Sequence, residues 1–237
     1  MPPLTLPYCG PVPTAQNIWA AWNFDPILIA ALILCLGVGH YAGARRWPLL
    51  LGWGVLVVAF VSPLCALTVA FFTARSVHHL VIVTLAAPLL AMAWPMRGRG
   101  AQIPFMVLAA VLVLWHLPPV YTMLWDNHAI YWLMQIALLA SAWAFWSRVA
   151  RQDPQQLAAS ALLTAGLAGV MGLIGAIITF APRVLFEQHI TGALGWGIDP
   201  LYDQQMAGLV MWVPGMLPLA IVAGLLIQRA WVQSVQS

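Results

Sequence analysis

Residues 156–181 read QLAASALLTAGLAGVMGLIGAIITFA, a run in which no side chain carries a formal charge. A helix needs roughly 20 apolar residues to cross about 30 Å of hydrocarbon, so this run is long enough to span a membrane. Its glycines recur at every third position, at Gly166, Gly169, Gly172 and Gly175. Small residues allow helices to approach closely in lipid, and we therefore expect this helix to be tightly packed.

The rest of the chain has the same apolar character. Of its 237 residues, 63% are apolar and 6% are charged, whereas about a quarter are charged in a typical soluble domain. Similar runs predict helices at 26–43, 47–72, 76–95, 101–117, 129–149, 156–181 and 204–228. The predicted fold is all-α, a polytopic membrane helix bundle with seven transmembrane helices. A leader segment (1–25) precedes this domain (26–230), and a short cytoplasmic tail (231–237) follows it.

The arginines predict the orientation of this bundle. Alternate loops place seven of them on one side: Arg45, Arg46, Arg97, Arg99, Arg148, Arg151 and Arg229. The opposite side has only Arg75 and Arg183. Positive residues accumulate in cytoplasmic loops, so we expect the N-terminus outside and the C-terminus in the cytoplasm. The acids show the opposite distribution, with Asp25, Asp126, Glu187, Asp199 and Asp203 outside and only Asp153 inside.

Composition also excludes several functions. All nine basic residues are arginines, and without a lysine the chain cannot form a Schiff base with retinal. The arginines stand singly or in pairs between apolar runs, so they do not indicate nucleic-acid binding. No hydrolytic or nucleotide-binding motif is present, and we expect no enzymatic activity.

The histidines are the residues that could carry a function. Five of the six fall on the predicted outer side: His78, His79, His116, His128 and His189. Only His40 lies toward the cytoplasm. Histidines of membrane proteins usually face the interior or a cavity, and therefore suggest a site. A histidine at a membrane surface can also be an amphipathic anchor, which is the simpler interpretation of His128 and His189 taken singly.

These histidines suggest a metal site at the outer face. His78 and His79 point about 100° apart on a helix, so at most one is a primary ligand, and His79 is preferred. Imidazole accepts zinc, copper or iron, and methionine sulfur favours copper. The candidate ligands are His79, His116 and His128, with His78, Asp203 and Met206 near them. Asp203 is also predicted to be the N-cap of the seventh helix.

The three cysteines have no spacing typical of a metal or redox motif. Cys35 and Cys65 lie in apolar runs, and we expect both to be small buried hydrophobic residues. Cys9 belongs to the leader, where it faces an oxidising space and could carry a free thiol.

Four motifs connect the chain with a known family. They are Trp22-Asn-Phe-Asp-Pro26, His79-Leu-Val-Ile-Val-Thr-Leu-Ala-Ala-Pro88, Trp115-His116 followed by Pro118, and Asp203-Gln-Gln-Met-Ala-Gly-Leu-Val-Met-Trp-Val-Pro-Gly215. The chain thereby resembles the multi-span CtaG family of cytochrome c oxidase assembly proteins, found with caa-type oxidases. The resemblance implies a role in oxidase maturation in the plasma (inner) membrane, with oxidase subunits as partners and copper supplied or stabilised at the extracytoplasmic face.

One position departs from the family pattern. Members commonly carry a His-Met-x-x-His run at the start of the third helix, but Arg75 stands at the first of these histidines. His78 fills the position before the second. If paired histidines bind the ion, this protein either uses His78 as a substitute or has a weaker site.

Two other functions remain open on the sequence. A haem b-binding electron-transfer protein needs axial histidines from two helices at similar depth, and His79 with His116 could serve. A small permease is the third hypothesis. Transport sites usually lie near the midplane with polar linings, however, and the predicted spans contain almost no charge there.

Overall fold

The computed structural model describes residues 7–98, 100–151 and 154–236. Arg99 and Asp153, which were counted on the cytoplasmic side, lie outside these ranges, as do residues 1–6 of the leader. Within the described residues the chain is helical and contains no strand. The α-helices are α1 (Pro26–Tyr41), α2 (Arg46–Phe60), α3 (Pro63–Ala70), α4 (Phe72–Val81), α5 (Ala87–Ala93), α6 (Gln102–Trp115), α7 (Pro118–Asp126), α8 (His128–Val149), α9 (Leu157–Thr179), α10 (Ile190–Gly195) and α11 (Pro200–Gln236).

Four helical segments are long and apolar enough to cross a membrane. They are α8, α9, α11 and the continuous helix Phe72–Ala93, which contains α4 and α5. Two bent pairs raise the number to as many as six: α2 with α3, bent by 44°, and α6 with α7, bent by 79°. The all-α membrane bundle is thus confirmed. α1 has 16 residues, and at 1.5 Å per residue it is about 24 Å long, so the count of seven stays a prediction.

The predicted second helix, 47–72, is broken into two helices. α2 ends at Phe60, and Ser62 is the N-cap of α3, its hydroxyl oxygen accepting a hydrogen bond from the Leu64 N–H at 3.2 Å. Pro63 suits the first position of α3 because the N–H that proline lacks would be unpaired there. The sequence is apolar on both sides of this break, so the length of the apolar run did not predict it.

Two helices begin earlier than predicted. α4 begins at Phe72 and not at 76, while α11 begins at Pro200 and not at 204. Asp199 precedes α11 and accepts a hydrogen bond from the Tyr202 N–H at 2.9 Å. Asp203 therefore lies inside the first turn of α11, and its prediction as the N-cap of that helix was wrong.

A π-helical turn at Ile82–Ala86 joins α4 to α5 just before Pro88. Proline has no N–H and its ring clashes with the carbonyl four residues earlier, so a regular α-helix is disfavoured at this point. In the wider turn the Ala87 N–H donates to the Ile82 carbonyl. The indole N–H of Trp146 on α8 donates to the Val83 carbonyl at 2.7 Å. A neighbouring helix thereby supplies a donor within the membrane span.

Four arginines that were predicted to be cytoplasmic share one end of the bundle, which we call the arginine end. The Arg45 N–H donates to the Ala93 carbonyl at 2.9 Å, so the α1–α2 turn meets the end of α5. Arg148 and Arg151 each donate to two carbonyls of the segment 96–98, which contains Arg97. The two bonds of Arg151 have ordinary lengths of 2.8 and 2.9 Å. The last turn of α8 therefore holds the chain that follows α5.

The leader covers the opposite end, which we call the leader end. A disulfide joins Cys9 to Cys65 of α3, with a Cα–Cα distance of 5.4 Å across 56 residues of sequence. The Trp196 indole N–H also donates to the Pro13 carbonyl at 2.8 Å. Cys65 is buried as predicted but bonded, and Cys9 has no free thiol. Cys35, expected to be buried, is exposed on α1.

The close packing predicted for the glycine-rich helix is confirmed where α9 meets α11. A β-carbon on Gly175 would lie 2.7 Å from the Gly208 carbonyl oxygen, and one on Gly208 would lie 2.5 Å from the Gly175 carbonyl oxygen. The two backbones therefore touch with no room for a side chain. Gly172 also faces α11, while Gly169 has no described atom within 4 Å of such a carbon.

Candidate functional site

Three histidine rings lie next to one another at the end of α4. His78 and His79 occupy the last turn of α4, and His116 directly follows α6. The ring centroids of His78 and His79 are 5.9 Å apart, and those of His79 and His116 are also 5.9 Å apart. The Trp115 ring lies 4.4 Å from His79. His79 is therefore the middle ring of a buried cluster.

The ring nitrogens of this cluster are short of partners. Neither Nδ1 nor Nε2 of His79 has a hydrogen-bonding partner among the described residues. His78 comes near the Ala59 carbonyl without reaching good hydrogen-bonding geometry. A buried polar group that is left unpaired costs about 1–3 kcal/mol, so most such groups are paired. Orphaned nitrogens of this kind are typical of a site for an ion or a ligand.

His116 is held in the tautomer that suits a ligand. Its Nδ1 lies 2.7 Å from the Leu112 carbonyl oxygen. Because a carbonyl can only accept, Nδ1 carries the proton and the lone pair is on Nε2. Metal-binding histidines almost always donate their second nitrogen to a carbonyl or carboxylate in this way.

Arg75 lies one turn before His79 and is also buried. The hydroxyl groups of Tyr121 and Tyr131 lie close to its guanidinium, and its Cζ atom lies 5.6 Å from the centroid of the Tyr131 ring. Its Nε and Nη1 have no hydrogen-bonding partner in the described part of the chain. The cluster thus combines a permanent positive charge with imidazole rings.

His189 continues this polar cluster from the segment before α10. Its Nε2 lies 2.7 Å from the Tyr121 hydroxyl. The Tyr121 hydroxyl also lies close to the Arg75 guanidinium, so it links His189 to Arg75. Burial, together with the nearby guanidinium of Arg75, lowers the pKa of His189 to about 3. The imidazole of His189 is therefore neutral at physiological pH.

Asp203 caps the start of α4. Its two carboxylate oxygens accept hydrogen bonds from the Phe72 N–H at 2.7 Å and from the Thr73 N–H at 3.2 Å. The Thr73 hydroxyl in turn donates to the Asp203 carbonyl at 2.8 Å. A carboxylate at this position also interacts favourably with the positive end of the helix dipole. Asp203 is thus a capping residue, as predicted, but for a different helix.

Two further predicted ligands lie in other surroundings. His128 begins α8 on the surface, and its ring centroid is 5.6 Å from that of Tyr8 in the leader. Met206 is half-buried and lines an apolar cavity of about 390 Å³ together with Thr73 and Asp203. The structure therefore brings together His78, His79 and His116, while Asp203, His128 and Met206 lie beside different neighbours. Among the described residues, no three or more His, Cys, Asp or Glu side chains form a ready-made metal cluster.

The sequence did not predict that Tyr121, Tyr131 and His189 belong to this cluster. Arg75 was noted as an outer-side arginine and as a departure from a family pattern, but not as a member of the site. One signal was available for it, because an ionisable residue inside an apolar span usually faces the protein interior and marks a site. His189 was counted among the outer histidines, but nothing in the sequence indicated its contact with Tyr121, 68 residues away.

The leader closes the cluster at its own end of the bundle. Tyr8 stacks on Tyr131 with ring centroids 5.2 Å apart, and its hydroxyl donates to Asp25 at 2.6 Å. This hydrogen bond lowers the pKa of Asp25. Tyr8 and Cys9 line a cavity of about 10 Å³ together with Arg75. A space of that size holds about one water molecule.

The fold and this cluster define a polytopic helical membrane protein with a buried histidine and arginine site at one end. A family model described as cytochrome c oxidase caa3 assembly factor (Caa3_CtaG) matches residues 101–234. The match covers more than half of the chain, and the chain belongs to this family of assembly factors. No curated protein and no solved structure matches the chain. The matched region includes His116 and His189 but begins after Arg75 and His79.

Proposed function

We propose that this chain assists the assembly of cytochrome c oxidase by binding copper between His79 and His116, with His78 beside them. The observation that carries the proposal is the buried His79 ring, whose two nitrogens are unpaired. It lies next to a His116 ring whose Nδ1 proton is already committed to a carbonyl. Copper is here the cargo of the assembly factor and not a resident cofactor.

The spacing of the two rings suits a shared ion. Two imidazoles that bind one ion from opposite sides, through bonds of about 2 Å, have ring centroids about 6 Å apart. The centroids of His79 and His116 are separated by 5.9 Å. Imidazole nitrogens suit copper, whereas magnesium and calcium prefer oxygen ligands, and the oxygens of Asp203 are engaged by α4.

We also propose that the chain crosses the plasma membrane seven times, with the leader end outside. Two independent features support this orientation. Several arginines meet at the opposite end, as the positive-inside rule requires of a cytoplasmic face. A disulfide lies at the leader end, and disulfides persist in oxidising compartments. A site at the leader end would then lie toward the extracytoplasmic side of the membrane.

Haem b is the alternative ligand for His79 and His116. The cavity beside Trp115 and Arg75 is only about 10 Å³, far smaller than a porphyrin ring requires. The closely packed rings of His79 and Trp115 therefore favour a single ion. A Soret band in the purified protein would indicate haem instead of copper.

The test is the Cu(I) affinity of the purified protein in detergent, measured by competition with a chromophoric chelator. We expect one copper ion per chain in the wild type. Because each ring supplies one ligand, His79→Ala or His116→Ala should weaken binding by about 10-fold or more. In cells, the same variants should lower the copper content of the oxidase.

Two histidine variants provide matched controls. His40→Ala changes an exposed histidine in the last turn of α1, and His128→Ala changes the exposed histidine that begins α8. Both should bind copper like the wild type. Equal affinity in the His79→Ala and wild-type proteins would contradict the proposal, and loss of copper in His128→Ala alone would move the site to the surface.

A further inference from the structure

Arg75 carries a charge that the protein does not visibly neutralise. Its side chain is 4% exposed, and a guanidinium stays protonated in proteins. Its nearest polar neighbours are the hydroxyl groups of Tyr121 and Tyr131, which are neutral. Burying a charge without a counter-charge is costly, so a buried guanidinium is normally paired with an anion.

Two carboxylates at the leader end, those of Asp203 and Asp25, already accept hydrogen bonds from other groups. Asp203 accepts hydrogen bonds from two backbone N–H groups at the start of α4. Asp25 accepts from the Tyr8 hydroxyl at 2.6 Å and from the Ile27 N–H at 2.8 Å. Neither is a hydrogen-bonding partner of Arg75. The counter-charge must therefore come from outside the described chain.

The unused donors of Arg75 belong to the wall of a small cavity. Nε carries one N–H and Nη1 carries two, and neither nitrogen has a partner among the described residues. The cavity of about 10 Å³ is lined by Pro7, Tyr8, Cys9, Arg75, Trp115, Tyr121, Leu124, Trp125 and Tyr131. Aromatic rings carry partial positive charge at their edges, and tyrosine hydroxyls can donate hydrogen bonds. The wall is thus rich in groups that favour negative charge.

The size of the cavity restricts the ligand to a single atom. A space that holds about one water molecule has room for a halide but not for phosphate, sulfate or a carboxylate with its carbon chain. We propose that this cavity binds a chloride ion, held by the free N–H groups of Arg75 and neutralising its charge. The site lies beside the histidines but takes an anion, so it is separate from the proposed copper site.

The disulfide and the leader give this anion a closed environment. Cys9 lines the cavity, and its sulfur lies 3.9 Å from the Tyr131 hydroxyl. Tyr8 covers Tyr131 through ring stacking. An ion in this position is shielded from water by the leader, and its attraction to Arg75 is strengthened because the surroundings are less polarisable than water.

The first experiment follows the thermal unfolding of the whole protein in detergent at constant ionic strength. Sodium chloride or bromide should raise the Tm relative to sodium gluconate, because a ligand of the folded state stabilises it and gluconate is too large to enter. Arg75→Met should remove the halide-dependent rise. Arg183→Met, which changes an exposed arginine of the same end, should retain it.

A second measurement does not depend on any variant being folded. Crystals of the wild type grown with bromide should show an anomalous peak within hydrogen-bonding distance of Arg75 Nε or Nη1. A cavity that contains only water, or a Tm that is equal in chloride and gluconate, would overturn the proposal. Copper takes no part in either measurement, so the result is independent of the proposed copper function.

Discussion

Substitution of Asp203 separates its capping role from a role as a metal ligand. Its carboxylate joins the first turn of α11 to the first turn of α4 across 131 residues of sequence. Asp203→Ala removes both acceptors and leaves the N–H groups of Phe72 and Thr73 without their partner. Asp203→Asn retains one side-chain oxygen, so it can still accept from one of these two N–H groups but no longer carries a charge.

The expected loss of stability follows from the two hydrogen bonds. A hydrogen bond to a charged group contributes about 1.5–3 kcal/mol, so losing both costs about 3–6 kcal/mol. Asp203→Asn should cost about half of that, because one neutral acceptor remains. An effect of this size is large for one side chain and is typical of a broken buried polar network.

The assay is unfolding in detergent, followed by tryptophan fluorescence, alongside Cu(I) binding at a temperature where each variant is folded. Asp199→Asn is the matched control, because this exposed residue caps α11 and asparagine caps almost as well as aspartate. We expect Asp203→Asn to lose stability and to retain copper. An Asp203→Asn protein with wild-type stability and no bound copper would refute this reasoning and make the carboxylate a ligand.

Three further predictions concern other parts of the fold. Gly208→Val should prevent α9 and α11 from packing together, because the β-carbon of the new side chain would lie 2.5 Å from the Thr179 hydroxyl oxygen. The variant should then fail to give a monodisperse peak in gel filtration. Cys65→Ser removes the disulfide that closes a loop of 56 residues, and this should lower the free energy of unfolding by up to about 4 kcal/mol. A reducing agent should destabilise the wild type but leave this variant unchanged. The pKa of His189, lowered to about 3 by burial, predicts acid sensitivity, because below pH 6.5 the unfolded imidazole binds a proton that the folded one does not. Between pH 6.5 and 3 this residue alone should lower the free energy of unfolding by up to about 1.4 kcal/mol per pH unit, and His189→Gln should remove that part of the slope.

The sequence predicted the membrane helices because apolar length is a local property. It did not predict the break at Ser62, since the chain remains apolar through it. The break between the second and third predicted helices was expected after residue 72 and lies at Phe71, and the starts of α4 and α11 were each misplaced by four residues. Hydrophobicity reports that a segment lies in lipid, but hydrogen bonds decide where each helix begins.

The site was predictable only in part, because its members come from distant segments. The placement of His79 and His116 at the ends of consecutive spans suggested that they could meet, and their rings lie 5.9 Å apart. The burial of His189 depends on Tyr121 and on the segment before α10, neither of which has a pattern that reveals the contact. His128 looked equivalent to His116 in sequence, yet it lies on the surface because it is the first residue of α8.

The guanidinium groups of Arg148 and Arg151 serve both membrane insertion and the finished fold. During insertion their charge counts toward the side of the membrane on which the loop stays. In the folded chain each one bridges two carbonyls of the segment 96–98, which lies between α5 and α6. A lysine would carry the same charge but lacks the planar fork that reaches two neighbouring carbonyls. Lysine at either position would therefore keep the charge that orients the loop but lose one of the two bonds to the segment 96–98.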